Sequence, residues 1–165
     1  MNTDLDTLMI RFSALKDAGR LMELDHQVWD HRTAPQPLVW ESREQYLLHC
    51  PPGQQLVAET GDGTLAGYLG FKAPTELDSS QHVYELWIAV DRQYRRRGIG
   101  VRLMTAFKAF ARREGKLKLR LRVLSSNEAA AAFYRTCGFR EEGRLVREYH
   151  VKGQYVDDIL MACFL

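Results

Sequence analysis

The chain is 165 residues long, ample for one hydrophobic core, and its apolar fraction of 45% is that of an ordinary globular protein. A formal net charge of +2 excludes a polycation, so any nucleic-acid or membrane role would need a local patch. Three scattered cysteines, Cys50, Cys137 and Cys163, provide neither a disulfide framework nor a paired-cysteine metal motif, and fit a reducing cytoplasm.

The opening residues, MNTDLDTLMIRF, carry acids where a secretory signal carries bases. No run approaches the roughly 18 consecutive apolar residues of a membrane span. A cytoplasmic protein with no membrane partner is therefore expected. Residues 8–14 read as a short strand. Residues 15–30 read as an amphipathic helix with Leu21, Leu24 and Val28 on one stripe. Two prolines, Pro35 and Pro37, make residues 31–40 a loop. A second helix over 41–50 is stopped by Pro51, Pro52 and Gly53. Residues 54–60 and 64–73 form a hairpin about Gly61-Asp62-Gly63. The stretch HVYELWIAV, 82–90, is strongly β-forming. A glycine junction follows, then a helix running to about Glu114 and stopped by Gly115. Residues 116–124, KLKLRLRVL, alternate strictly as a strand, and 125–138 read as a helix. The last two strands pair as a hairpin about Lys152-Gly153. The order is β-α-α-β-β-β-α-β-α-β-β. Strand–helix–strand alternation in the middle requires parallel neighbours, whereas hairpins are antiparallel. The expected fold is α/β, a central mixed sheet with helices on both faces. Nothing between Leu8 and Leu165 reads as a linker, so residues 1–165 are expected to form a single domain.

Three places carry chemistry. At the junction, Arg95, Arg96 and Arg97 run into Gly98-Ile99-Gly100. The first amides of a helix lack internal partners and the helix dipole adds positive potential, so this is a natural anion site. Glycine lets an anion approach the backbone, and the arginines add charge at the rim. A glycine-containing turn with a solvated basic run explains the same residues equally well. On the later helix, Ser125 and Glu128 have capping-box spacing, which predicts a start at Ser125. Asn127 and Tyr134 then share one face, with the small Ala130 and Ala131 between them. That face suits an extended amide-containing ligand, or else close packing around a core tyrosine. Third, Glu85 sits in the middle of the strongest strand. An unpaired buried charge there would cost on the order of several kcal/mol. It is either a functional carboxylate or one that faces solvent or pairs with an arginine.

The stretch VDRQYRRRGIG resembles the acetyl-CoA pyrophosphate motif of the GNAT superfamily of N-acetyltransferases, Gln/Arg-x-x-Gly-x-Gly/Ala, through Arg95, Gly98 and Gly100. NEAAAAFYRTCGF resembles that superfamily's second signature through Asn127, Ala130, Tyr134, Gly138 and Phe139. The two signatures lie in the right order on the expected elements. The resemblance implies acetyl-CoA as co-substrate, with no metal. It implies that the backbone of Ile88, Ala89 and Val90 pairs with the pantetheine amides. The amides of Arg96, Arg97, Gly98, Ile99, Gly100 and Val101, with Arg95 beside them, would hold the pyrophosphate. Asn127 and Ala130 would line the pantetheine arm, Tyr134 would protonate the leaving thiolate, and Glu85 would act as general base, often through water. Another branch of the superfamily places its base on the following strand, where this chain has Arg122. A guanidinium cannot act as that base. That departure argues against a ribosomal-protein N-terminal acetyltransferase of that kind.

The ending, KGQYVDDILMACFL, resembles that of small-molecule and amino-acid acetyltransferases of the superfamily, which implies a small-molecule amine or amino acid as acceptor; a protein N terminus or lysine, or a non-catalytic acyl-CoA sensor, are the alternatives. Trp29, Trp40 and Trp87 are candidates for apolar walls of the acceptor site, and His31 and His150 for polar groups. Asp157 and Asp158 read either as attractors for a cationic amine or as exposed hairpin charges. Lys116, Lys118, Arg120 and Arg122 read either as a surface for an acidic partner or as a solvated strand face; the second is preferred, since a half-exposed strand normally alternates in this way. Lacking interleaved aromatics, that face does not suggest nucleic acid. A homodimer through the terminal strands is the assembly the resemblance suggests.

Overall fold

The computed structural model describes residues 7–165. Its strands are β1 (Met9–Phe12), β2 (Gln55–Glu59), β3 (Leu65–Lys72), β4 (Val83–Val90), β5 (Lys118–Leu124), β6 (Arg140–Val151) and β7 (Gln154–Phe164). The α-helices are α1 (Ala18–Val28), α2 (Arg43–His49), α3 (Ile99–Arg113) and α4 (Glu128–Thr136). The strands form one mixed sheet in the order β1-β2-β3-β4-β5-β7-β6. β4 and β5 are parallel, as an intervening helix requires, and the hairpin pairs β2–β3 and β6–β7 are antiparallel. The element order is the one expected from the sequence. Among the described residues, no helix is long and apolar enough to cross a membrane.

Local chemistry moves three boundaries. The first helix is preceded by a 3-10 turn, Leu15–Asp17, because the Asp17 carboxylate accepts from Ala14 N at 2.7 Å and is gripped by Arg11. The helix α4 begins at Glu128 and not at Ser125: the cap is Asn127, whose Oδ1 accepts from Ala130 N at 3.3 Å. Ser125 instead exchanges hydrogen bonds with Asp157 of β7, N to O and N to Oγ, both at 2.9 Å. β5 begins at Lys118, and the preceding Leu117 is exposed. The β6–β7 turn carries Lys152 at φ 46° and Gly153 at φ 81°, the paired positive angles of a twist-compatible hairpin turn.

The chain divides into two compact units. The first comprises Met1–Val28, Val39–Phe71 and Ile88–Ala109. Its core holds Leu21, Leu24, Val57, Leu69, Leu103 and Phe107, with Phe71 tilted on Phe107 at 4.9 Å. A buried carboxylate also stands there: Asp25 accepts from Trp40 Nε1 at 2.8 Å and from the Tyr68 hydroxyl. Burying a charge is tolerable only with such partners. The second unit comprises Trp29–Leu38, Lys72–Trp87 and Phe110–Leu165, cored by Leu119, Leu121, Phe139 and Met161.

Candidate functional site

In the first unit, the chain leaves β4 through Ile88, Ala89 and Val90, of which Ala89 is buried. Asp91 N donates to Ala66 O at 2.9 Å, fixing the exit against β3. The Asp91 carboxylate accepts from Gln93 N at 2.9 Å and from Arg20 at 2.5 Å, which secures the single turn Arg92–Tyr94. Arg95 is extended, Arg96 lies at φ 60° and Gly98 at φ 75°. A left-handed arginine is uncommon and costly, and such residues cluster where ligands are held. α3 then begins at Ile99. Its first internal bond is Arg102 N to Gly98 O at 3.0 Å, so the amides of Ile99, Gly100 and Val101 precede the hydrogen-bonded ladder. Arg95, Arg96 and Arg97 are all exposed, and Arg97 lies over the Tyr94 ring. The left-handed residues, the helix-end amides and the solvated guanidiniums fit a diphosphate.

In the second unit, Asn127 spends its Oδ1 on the helix cap and leaves its NH2 group uncommitted among the described residues. Ala130 is half-buried and Ala131 buried, so the face between Asn127 and Tyr134 is lined by methyl groups only. Tyr134 is buried, with its ring tilted against Phe133 and edge-on to Phe139 at 6.0 Å. Burial pushes its phenol well above the ordinary range, with Cys137 adding to the shift. α4 ends at Thr136 with Cys137 as its cap, and Gly138 beyond it has a φ of 90° that only glycine adopts readily, which turns the chain so that Phe139 enters the core.

Glu85, also in the second unit, stands opposite Arg120 in the parallel β4–β5 register. Arg120 donates to Glu85 Oε2 from Nε at 2.8 Å and from NH2 at 2.7 Å. Lys72 Nζ lies 3.8 Å from Oε1. The carboxylate is therefore accompanied. Two residues along β5, Arg122 donates to Asp158 from Nε at 2.6 Å and also through NH2. The Tyr149 hydroxyl reaches Asp158 Oδ2 at 3.4 Å. Burial, then the Asp158 charge, raises the Tyr149 phenol. Asp158 is thus a buried counter-ion. Asp157 accepts from Arg147 N and from Arg144, which lowers its carboxyl below the usual range. The polar face of β5 is a set of ion pairs, completed by Lys118 with Glu142, where a solvated face was expected.

Among the candidate acceptor groups, Trp40 is occupied with Asp25, and His150 is a surface ring tilted against Tyr155 at 4.7 Å. His31 has a buried Nδ1 without a hydrogen-bond partner among the described residues. The sequence reading missed the Arg122–Asp158 pair and the Asp25 cluster. The available signal for the first was opposite charges at alternate positions of two strands, which becomes a pair only once β5 and β7 are known to be neighbours. Among the described residues no group of His, Cys, Asp or Glu is placed to hold a metal ion.

The family model described as "Acetyltransferase (GNAT) family" matches residues 20–139. The chain is 34% identical over 153 residues to the N-alpha-acetyltransferase RimI of Mycobacterium tuberculosis (strain ATCC 25618 / H37Rv), covering 93% of this chain and 91% of that one. The crystal structure of smu.2055 from Streptococcus mutans UA159 superimposes with a TM-score of 0.86 at 32% identity, over 94% of this chain and 98% of the other. The ribosomal-protein-alanine N-acetyltransferase of Brucella melitensis gives a TM-score of 0.78 at 25% identity, over 95% and 99%.

Proposed function

Because the chain belongs to the GNAT family of acetyltransferases, we propose that it transfers the acetyl group of acetyl-CoA to the α-amine at the N terminus of a protein or peptide. Residues 1–165 act in this reading as one acetyltransferase domain. The observation that carries it is the 34% identity, over nearly the whole of both chains, to a relative named for Nα-acetylation. It is preferred here to the small-molecule or amino-acid acceptor expected from the chain's ending.

When bound, acetyl-CoA supplies the activated acyl carbon that an amine attacks. The amides from Arg96 to Val101, with Arg95 beside them, hold its pyrophosphate. The backbone of Ile88 to Val90 receives the pantetheine amides as a neighbouring strand would. Asn127 offers its NH2 group to the pantetheine arm, and Ala130 keeps that face flat. Tyr134 keeps its proton at every physiological pH, because burial raises the phenol. Its hydroxyl therefore remains a donor to a sulfur gaining negative charge. Glu85 accepts the proton that the attacking amine must lose, directly or through water. Arg122 cannot take that part, being permanently charged and tied to Asp158.

The test is a thiol-release assay over peptides with free N termini, free amino acids and lysine-containing peptides with blocked N termini. Mass spectrometry then locates the acetyl group. Acetylation of α-nitrogens of peptides is expected. Acetylation confined to small amines or to lysine Nζ overturns the peptide N-terminal acceptor. Calorimetric binding of acetyl-CoA with no turnover on any amine makes the chain a sensor on this scaffold.

A further inference from the structure

We propose that Arg120 and Arg122 form a fixed pair of guanidiniums that binds a carboxylate carried by the acceptor. The peptide reading above identifies the molecule that brings the carboxylate; the pair itself rests on geometry within one unit of the fold.

Positions two apart on a strand share a face and lie about 7 Å apart. Arg120 and Arg122 are so placed, with side-chain exposures of 41% and 47%. Each is anchored in the same way, through Nε and NH2 to a single carboxylate. The anchors are themselves shielded, Glu85 at 19% exposure and Asp158 at 3%. In each guanidinium this leaves the NH1 group without a partner among the described residues. A free arginine side chain would lose rotamer entropy on binding an anion. These two have already lost it to their anchors.

The charges on this face do not cancel. Lys72, Arg120 and Arg122 stand against Glu85 and Asp158, so one positive charge is left over. The neighbouring Lys118 is neutralised by Glu142. Two like charges side by side repel, and a strand needing only solubility has no reason to hold them rigid. Guanidinium donors match a carboxylate in both shape and charge. The pair starts at the residue that grips Glu85, so the acceptor's carboxylate would lie within a residue or two of its reacting amine. An acidic second or third residue of a peptide, or the side chain of a free acidic amino acid, supplies that chemistry.

The experiment measures binding to the purified full-length chain by fluorescence anisotropy, using peptides labelled at the C terminus. Three sequences differ only at positions two and three: Asp-Glu, Asn-Gln or Lys-Lys. Free glutamate and glutamine serve as competitors that separate the two sources of carboxylate. Acidic peptide is expected to bind about tenfold more tightly than its amide counterpart, since a charged hydrogen bond is worth more than a neutral one. The advantage should shrink in high salt. It should vanish in Arg122→Gln. Because that change strips a buried carboxylate of its partner, Arg122→Gln combined with Asp158→Asn, and Arg122→Lys, are measured beside it. Arg122→Lys keeps the charge without the planar fork and should retain only part of the preference. Equal binding of acidic and amide peptides overturns the clamp. Acidic preference without any acetylation upholds the clamp and removes the acetyl-transfer reading. Acetylation without acidic preference does the reverse.

Discussion

Arg120 holds Glu85 through two donors, Nε at 2.8 Å and NH2 at 2.7 Å, both on Oε2. The strand carboxylate that invited a catalytic reading is one half of an ion pair. Oε1, with Lys72 3.8 Å away, is the oxygen less engaged.

Replacing Glu85 with Gln should lower turnover by about 10²-fold or more, the usual worth of a positioned general base. Acetyl-CoA affinity, measured by calorimetry on the same variant, should change by less than about twofold, because a base acts on the acceptor and in the transition state. Turnover within about threefold of the parent would assign proton removal to water or to another group.

Gly98 and Gly100 separate backbone strain from ligand access. Gly98 lies at φ 75°, and an added Cβ there would meet nothing within 4 Å. Alanine at 98 should therefore cost about 1–2 kcal/mol through its dihedral alone. Gly100 is inside α3, where alanine is mildly stabilising, by roughly 0.4–1 kcal/mol. Gly100→Ala is the cleaner probe: thermal melting should show no loss, while calorimetry shows weaker acetyl-CoA binding. Unchanged affinity would remove the pyrophosphate assignment.

Tyr134→Phe retains the ring between Phe133 and Phe139 and deletes a hydroxyl with no hydrogen bond among the described residues. Stability should move little. Turnover at saturating acetyl-CoA should fall by roughly 10²–10⁴ if the hydroxyl donates to the departing sulfur. A loss below about threefold makes Tyr134 a packing residue.

Alkaline stability follows from the same burial. Tyr134 and Tyr46 both have phenols raised chiefly by desolvation. A folded-state value above the unfolded one means the native state holds the proton more tightly. Their contribution is then complete below the unfolded value of about 10 and is lost as pH rises through the folded value. Urea midpoints should fall steeply above about pH 10, and less steeply in Tyr46→Phe. Parallel curves for parent and variant would contradict this. In the same unit, burial and the Asp25 charge raise the Cys50 thiol to about 11, so alkylation at neutral pH should be slow.

Asp25 supports a further stability test. Asp25→Asn keeps one acceptor but sets an NH2 group against either the Trp40 indole N–H or the Tyr68 hydroxyl. The expected cost is about 1–3 kcal/mol, read as a fall of roughly 2–4 °C in melting temperature per kcal/mol. No change would mean that the two donors find other partners.

By itself the sequence determined the order of all the strands and α-helices, the parallel centre and antiparallel flanks, and the two signatures on α3 and α4. Those features are local: periodicity, turn residues and helix stops act over a few positions. What tertiary structure decided is pairing between distant positions. Ser125 has capping-box spacing, yet its hydroxyl goes to Asp157, and the cap falls to Asn127. The cations of β5 alternate as a solvated face would, but Arg120 meets Glu85 and Arg122 meets Asp158, because β4 and β7 flank that strand. Asp25 sits on a polar-looking helix position and is buried by residues fifteen and more places away. A charge costs little in water and much in a core, and the sequence does not say which partner crosses the sheet to neutralise it.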